Sequence, residues 1–121
     1  MNKITMKAKN FEITQALKEY ITDKFSKFER YEKHISEIVV ELKVEKNPHI
    51  ADNKIVDVNI YVTGTVIKAE AANHDMYASI DSVIDKLERQ LEKYEDLNFR
   101  NHKSKYGTSE LESFELSLQE L

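Results

Sequence analysis

The chain predicts an α+β fold, a two-layer sandwich of order β-α-β-β-β-α with a four-stranded sheet carrying two helices on one face. Three observations predict it. Four segments alternate apolar and polar residues with period two, and two longer segments repeat apolar residues at steps of three and four. Turn-forming residues separate them, notably Asn10, the run from Asn47 to Asn53, Gly64 and Asn73. A sheet with one apolar face and helices with one apolar stripe each bury those surfaces best against one another.

The first strand is KITMKAK, residues 3–9, with Ile4, Met6 and Ala8 opposed to Thr5, Lys7 and Lys9. Thr14 can cap the helix that follows, its hydroxyl accepting from a first-turn N–H. That helix is expected from about Gln15 to Tyr31, with Leu17, Ile21, Phe25 and Phe28 as its stripe and Tyr20 and Tyr31 on one edge. Lys24 falls inside the apolar arc, so its stem must lie along apolar neighbours and its ammonium must emerge at a seam. Residues 35–46 turn Ile38, Val40, Leu42 and Val44 inward and Glu37, Glu41, Lys43 and Glu45 outward. Residues 55–63 repeat the alternation with Val56, Val58, Ile60 and Val62, Gly64 makes a tight hairpin turn, and residues 65–72 form the fourth strand.

The second helix, Asp75 to Tyr94, is the longest periodic stretch, with Met76, Ile80, Val83, Ile84, Leu87, Leu91 and Tyr94 on one face. Its charges are sorted by sign. At about 100° per residue, Lys86, Arg89 and Lys93 fall on one flank of the stripe, and Asp81, Asp85, Glu88 and Glu92 on the other. The first helix offers Lys24, Lys27 and Arg30. If the two basic flanks face each other, six cations line one groove between the helices. Such a groove suits a phosphate backbone, whose contacts release counterions and make affinity steeply salt-dependent. With no aromatic platform on the sheet, shape and backbone recognition of folded RNA is favoured over the reading of single-stranded bases. Tyr77, at the edge of the second stripe, reads as a rim tyrosine or as a possible base contact.

Composition narrows the classes. The 121 residues are 40% hydrophobic and 33% charged, which suits one soluble domain with a charged surface. The formal net charge is -4, so any anion-binding surface must be local. No cysteine is present, which removes disulfides, thiolate metal sites and thiol nucleophiles. His34, His49, His74 and His102 are scattered without ligand spacing, and two glycines are too few for a phosphate-cradling loop. No nucleophile signature occurs. No enzyme activity, metal, cofactor or small-molecule substrate is therefore expected. With no apolar run near the ~18 residues of a membrane span and no signal-peptide core at the start, a cytoplasmic protein without a membrane partner is expected.

The domain is expected over residues 1–97. From Asn98 both periods fade, and residues 108–121 carry four glutamates and no basic residue. Residues 98–121 are thus expected to be a flexible acidic tail or the start of an interdomain linker.

The segments FEITQALKEYITDKFSKFERY and AANHDMYASIDSVIDKLERQLEKY resemble the ribosome hibernation factors, the family of hibernation promoting factor and ribosome-associated inhibitor A. The resemblance rests on Ile13, Thr14, Ala16 and Leu17 at the first helix start. It rests also on Asp75, Met76, Tyr77, Ile80 and Asp81 at the second, and on the run from Lys86 to Leu91. It implies a fold similar to a double-stranded-RNA-binding domain. It also implies binding to the small ribosomal subunit and its rRNA in the decoding region, within the assembled ribosome. There the domain would block tRNA and mRNA and inhibit translation under stress or in stationary phase. The matching rRNA-binding positions are Lys24, Lys27, Arg30, Lys86, Arg89 and Lys93, with Lys18 weaker. The family also contains tailed and two-domain forms, so promotion and prevention of ribosome pairing both stay open. The alternative reading is a non-enzymatic interaction or oligomerisation module that uses the wet sheet face or the tail.

Overall fold

The computed structural model describes residues 3–97. Its elements are β1 (Ile4–Lys9), α1 (Gln15–Phe25), a 3₁₀ segment (Ser26–His34), β2 (Ile35–Val44), β3 (Lys54–Val62), β4 (Thr65–Asn73) and α2 (Met76–Glu95). The α+β order read from the sequence is present, with one mixed sheet of order β1-β2-β3-β4. The expectations for residues 98–121 lie outside the described residues.

The crossover through α1 makes β1 and β2 parallel, whereas short connections make the other two pairs antiparallel. Both helices therefore follow strands of the same direction and run in the same sense over one sheet face. At the β3–β4 turn Gly64 takes φ +90°, the left-handed region open to glycine at no steric cost. Asn10 takes φ 68° after β1 and donates from Nδ2 to the Val44 carbonyl at 3.2 Å. In β2 the register slips between Ile35 and Glu37. That bulge lets Ile35 and Ile38 both point inward, a spacing that plain alternation forbids.

The helix expected to reach Tyr31 stops being α-helical at Phe25. Nine residues of 3₁₀ conformation carry the chain on to β2, far longer than the usual three or four. The side chains explain it. Phe25, Phe28 and Tyr31 recur at intervals of three and are all buried. At 3.0 residues per turn they stack on one line facing the sheet, whereas an α-helix would rotate each one away from the last.

α2 is capped by Asp75, whose Oδ1 accepts from Tyr77 N at 3.4 Å. All seven residues of its predicted stripe are buried, each worth about 1.5–3 kcal/mol for the larger aliphatic side chains. Ser79 and Gln90 are its buried polar residues, and Ser79 acts near the helix start. The Ser79 hydroxyl donates to the Lys54 carbonyl at 2.6 Å and so ties the helix start to β3.

Candidate nucleic-acid interface

Lys24, in the last turn of α1, and Lys27 and Arg30, in the 3₁₀ segment, recur at intervals of three and form a row along the seam with α2. On α2, Asp81, Glu88 and Glu95 are spaced by seven, nearly two turns, so they share one flank. The two rows meet. Lys24 Nζ lies 4.0 Å from Asp81 Oδ1, Lys27 Nζ 2.8 Å from Glu88 Oε2, and Arg30 Nη2 3.0 Å from Glu95 Oε1. Tyr20 joins them, donating its hydroxyl to Asp81 Oδ1 at 2.6 Å. That hydrogen bond, with desolvation and the nearby negative charge, holds the Tyr20 phenol up at about 12. Glu88 likewise raises the Lys27 ammonium above its ordinary value.

This overturns the expected groove. The basic residues of α1 face the acidic flank of α2, not its basic flank, because the helices are parallel and α2 turns its carboxylates toward α1. The expected emergence of Lys24 at a seam does hold. Its ammonium sits 5.3 Å from the Tyr20 ring centre and the side chain stays 41% exposed.

The basic flank of α2 lies over the sheet's outer edge instead. Lys86 Nζ donates to the Glu70 carbonyl at 2.7 Å, and Gln90 Nε2 to the Lys68 carbonyl at 2.8 Å. Both acceptors belong to β4, an edge strand whose free backbone would otherwise invite another strand. Gln90 Oε1 is buried and has no hydrogen-bond partner among the described residues. Arg89 is exposed on the back of α2, and Lys93 is half-buried one turn further on. Lys86 spends its bond on a neutral carbonyl, so its charge is not cancelled as those of Lys24 and Lys27 are. The Lys68 side chain itself points the other way, to the open face of the sheet, where its charge lowers the Asp57 carboxyl.

The remaining candidates stand apart. Lys18 occupies the outer side of α1, in a shallow depression it shares with Glu19, Asp23 and Glu29. Tyr77 is 38% exposed at the start of the helical seam, its ring set edge-on to Tyr20 with centroids 4.8 Å apart. No helix among the described residues is long and apolar enough to cross a membrane.

Comparison with known proteins gives this geometry a context. The ribosome hibernation promoting factor of Salmonella typhimurium is 48% identical over 87 residues, covering 72% of this chain and 86% of that protein. Among solved structures, a ribosomal subunit interface protein from Coxiella burnetii superposes with a TM-score of 0.68 at 34% identity, over 76% of this chain and 96% of that one. The Protein Y N-terminal domain of Thermus thermophilus shares the fold, with a TM-score of 0.65 at 24% identity over 76% of this chain and 98% of that one. Because the model of the Sigma 54 modulation protein / S30EA ribosomal protein family matches residues 4–97, the entire described fold, the chain belongs to that family.

Proposed function

We propose that this chain is a ribosome hibernation factor that binds small-subunit rRNA in the decoding region. The observation that carries the reading is the 48% identity to a ribosome hibernation promoting factor over 87 residues. The action is steric: the domain occupies the path of tRNA and mRNA in the assembled ribosome and stops translation under stress or in stationary phase. No bond is made or broken, so the protein acts in the cytoplasm as a binding module and not as an enzyme.

The charge layout supports a division among the contacts. Lys86 and Arg89 offer cations along α2 and make the first phosphate contacts, with the half-buried Lys93 one turn further on beside them. Lys24, Lys27 and Arg30 contribute only by exchanging carboxylate for phosphate. Each exposed ion pair they give up is worth only about 0–1 kcal/mol. Lys18 and Tyr77 lie at the periphery of this surface.

The test is co-sedimentation with small subunits and a sucrose-gradient profile of whole ribosomes, using Arg89→Glu. Arg89 is exposed, so its reversal leaves the fold intact. The expected loss of affinity is about tenfold, ~1.4 kcal/mol, with a shallower salt dependence and with translation inhibition lost in parallel. A variant that pellets and inhibits like the wild type would refute the assignment to α2.

A further inference from the structure

We propose that β1, the edge strand opposite β4, is a pairing site for an extended partner segment that alternates apolar and acidic residues. The inference does not depend on ribosome binding. It rests on the different ways in which the fold treats the two edges of its sheet.

At the β4 edge, Lys86 and Gln90 close two outward carbonyls. Nothing among the described residues does the same at β1. Its pairing with β2 is parallel, with Ile4 opposite Ile38, Met6 opposite Val40 and Ala8 opposite Leu42. Ile38 N donates to the Lys3 carbonyl at 2.9 Å. In a parallel ladder of that register the odd-numbered residues of β1 bond to β2, and the even-numbered ones turn their backbone groups away from it. Ile4, Met6 and Ala8 therefore present their N–H and C=O groups along the open edge. Such a row is a template for one more strand, held by main-chain hydrogen bonds and selected by its alternate side chains.

The side chains of β1 decide which strand fits. On the helix side, Ile4 and Met6 are half-buried and packed against the core, so an added strand meets apolar neighbours there. On the open side Lys7 and Lys9 are exposed, and β1 contains no acid. The open face as a whole is mixed in charge, with Glu37, Glu41 and Lys43 on β2, Asp57 on β3, and Lys68 and Glu70 on β4. Distance ranks these charges. A strand added outside β1 lies about 4.8 Å from it and about twice that from β2, close to the screening length of ~10 Å at 0.1 M salt. Lys7 and Lys9 are thus the charges it meets first, and carboxylates at alternate positions answer them. The same two lysines reject a second copy pairing through its own β1, because like charges would then face each other.

The test uses the full chain, isotope-labelled for NMR, and a synthetic peptide alternating valine with glutamate. Amide exchange at Ile4, Met6 and Ala8 should slow about tenfold or more on saturation, with β4 amides unaffected. A peptide alternating valine with lysine should leave all of them unchanged. Ala8→Pro removes one outward N–H and spares the bonds to β2, and it should weaken binding severalfold. Lys7→Glu with Lys9→Glu, both at exposed positions, should reverse the preference between the two peptides. Equal binding of both peptides by the wild type would overturn the proposal, as would protection at β4 in place of β1. Protection that grows with protein concentration in the absence of peptide would make a second copy the occupant. Protection already present in dilute, peptide-free protein would mean that the chain fills its own edge. Either result also overturns it.

Discussion

The two flanks of α2 carry opposite charges and are held in opposite ways. Toward α1, carboxylates meet cations side chain to side chain, in pairs that are half exposed and exchangeable. Toward β4, Lys86 and Gln90 reach fixed backbone carbonyls on the sheet edge. The first arrangement can be traded for a phosphate with little loss. The second cannot be given up without uncapping an edge strand. Charge sign alone would rank the six helical cations as equals. Their partners make Lys86 and Arg89 on α2 the standing positive surface and the α1 row a conditional one.

Three changes break or sharpen that contrast. The largest effect falls on the β4 side. Gln90→Glu sets a carboxylate against the Lys68 carbonyl at a position only 5% exposed. Thermal unfolding at neutral pH should show a loss on the order of 3 kcal/mol, the scale of an uncompensated buried charge. Burial raises such a carboxyl, and its neutral form can donate to the carbonyl, so the loss should shrink as pH falls. An unchanged melting temperature would mean that the edge contact is not structural.

Next comes Tyr20→Phe on the α1 side, which removes the hydroxyl bonded to Asp81 and should cost about 1 kcal/mol. Its signature is alkaline. A phenol raised from 10.0 to about 12 contributes stability that is whole below pH 10 and lost as pH climbs toward 12. Denaturation of the wild type should therefore converge on that of the variant across this range. The smallest effect on stability is expected from Glu88→Gln, about 0.5 kcal/mol or less. It releases Lys27, whose ammonium should fall back toward its ordinary value. Filter binding to rRNA should then show severalfold tighter binding and a salt slope steeper by about one. Weaker binding would show that the ion pair presents Lys27 to RNA instead of withholding it.

Much of this was legible in the residues. The second stripe is buried at every predicted position, and the sorting of charge along α2 is real. The hairpin glycine and both helix caps stand where turn and capping chemistry put them. The facing of the flanks was not legible. A helical wheel gives angles about one axis and does not say which neighbour stands on which side. That depends on the two helices being parallel, which follows from the direction of β1 and β4. The 3₁₀ run was also missed, although Phe25, Phe28 and Tyr31 at intervals of three carried the signal. Intervals of three fit either helix type locally, and only burial of all three decides. The family was legible from two short motifs because they lie along the same capped helices that define the fold.

The 3₁₀ segment has one more consequence. Within it Lys27 and Arg30 are about 6 Å apart along the axis, while the carboxylates on α2 advance about 10 Å every seven residues. Two scales of unequal pitch cannot stay in step, and the pairs are correspondingly uneven: 4.0 Å at Lys24, 2.8 Å at Lys27 and 3.0 Å at Arg30. The seam therefore works as a vernier with one loose mark. The loosest contact of the seam is therefore the Lys24–Asp81 pair, at the α2 N-terminal end beside Tyr20 and Tyr77.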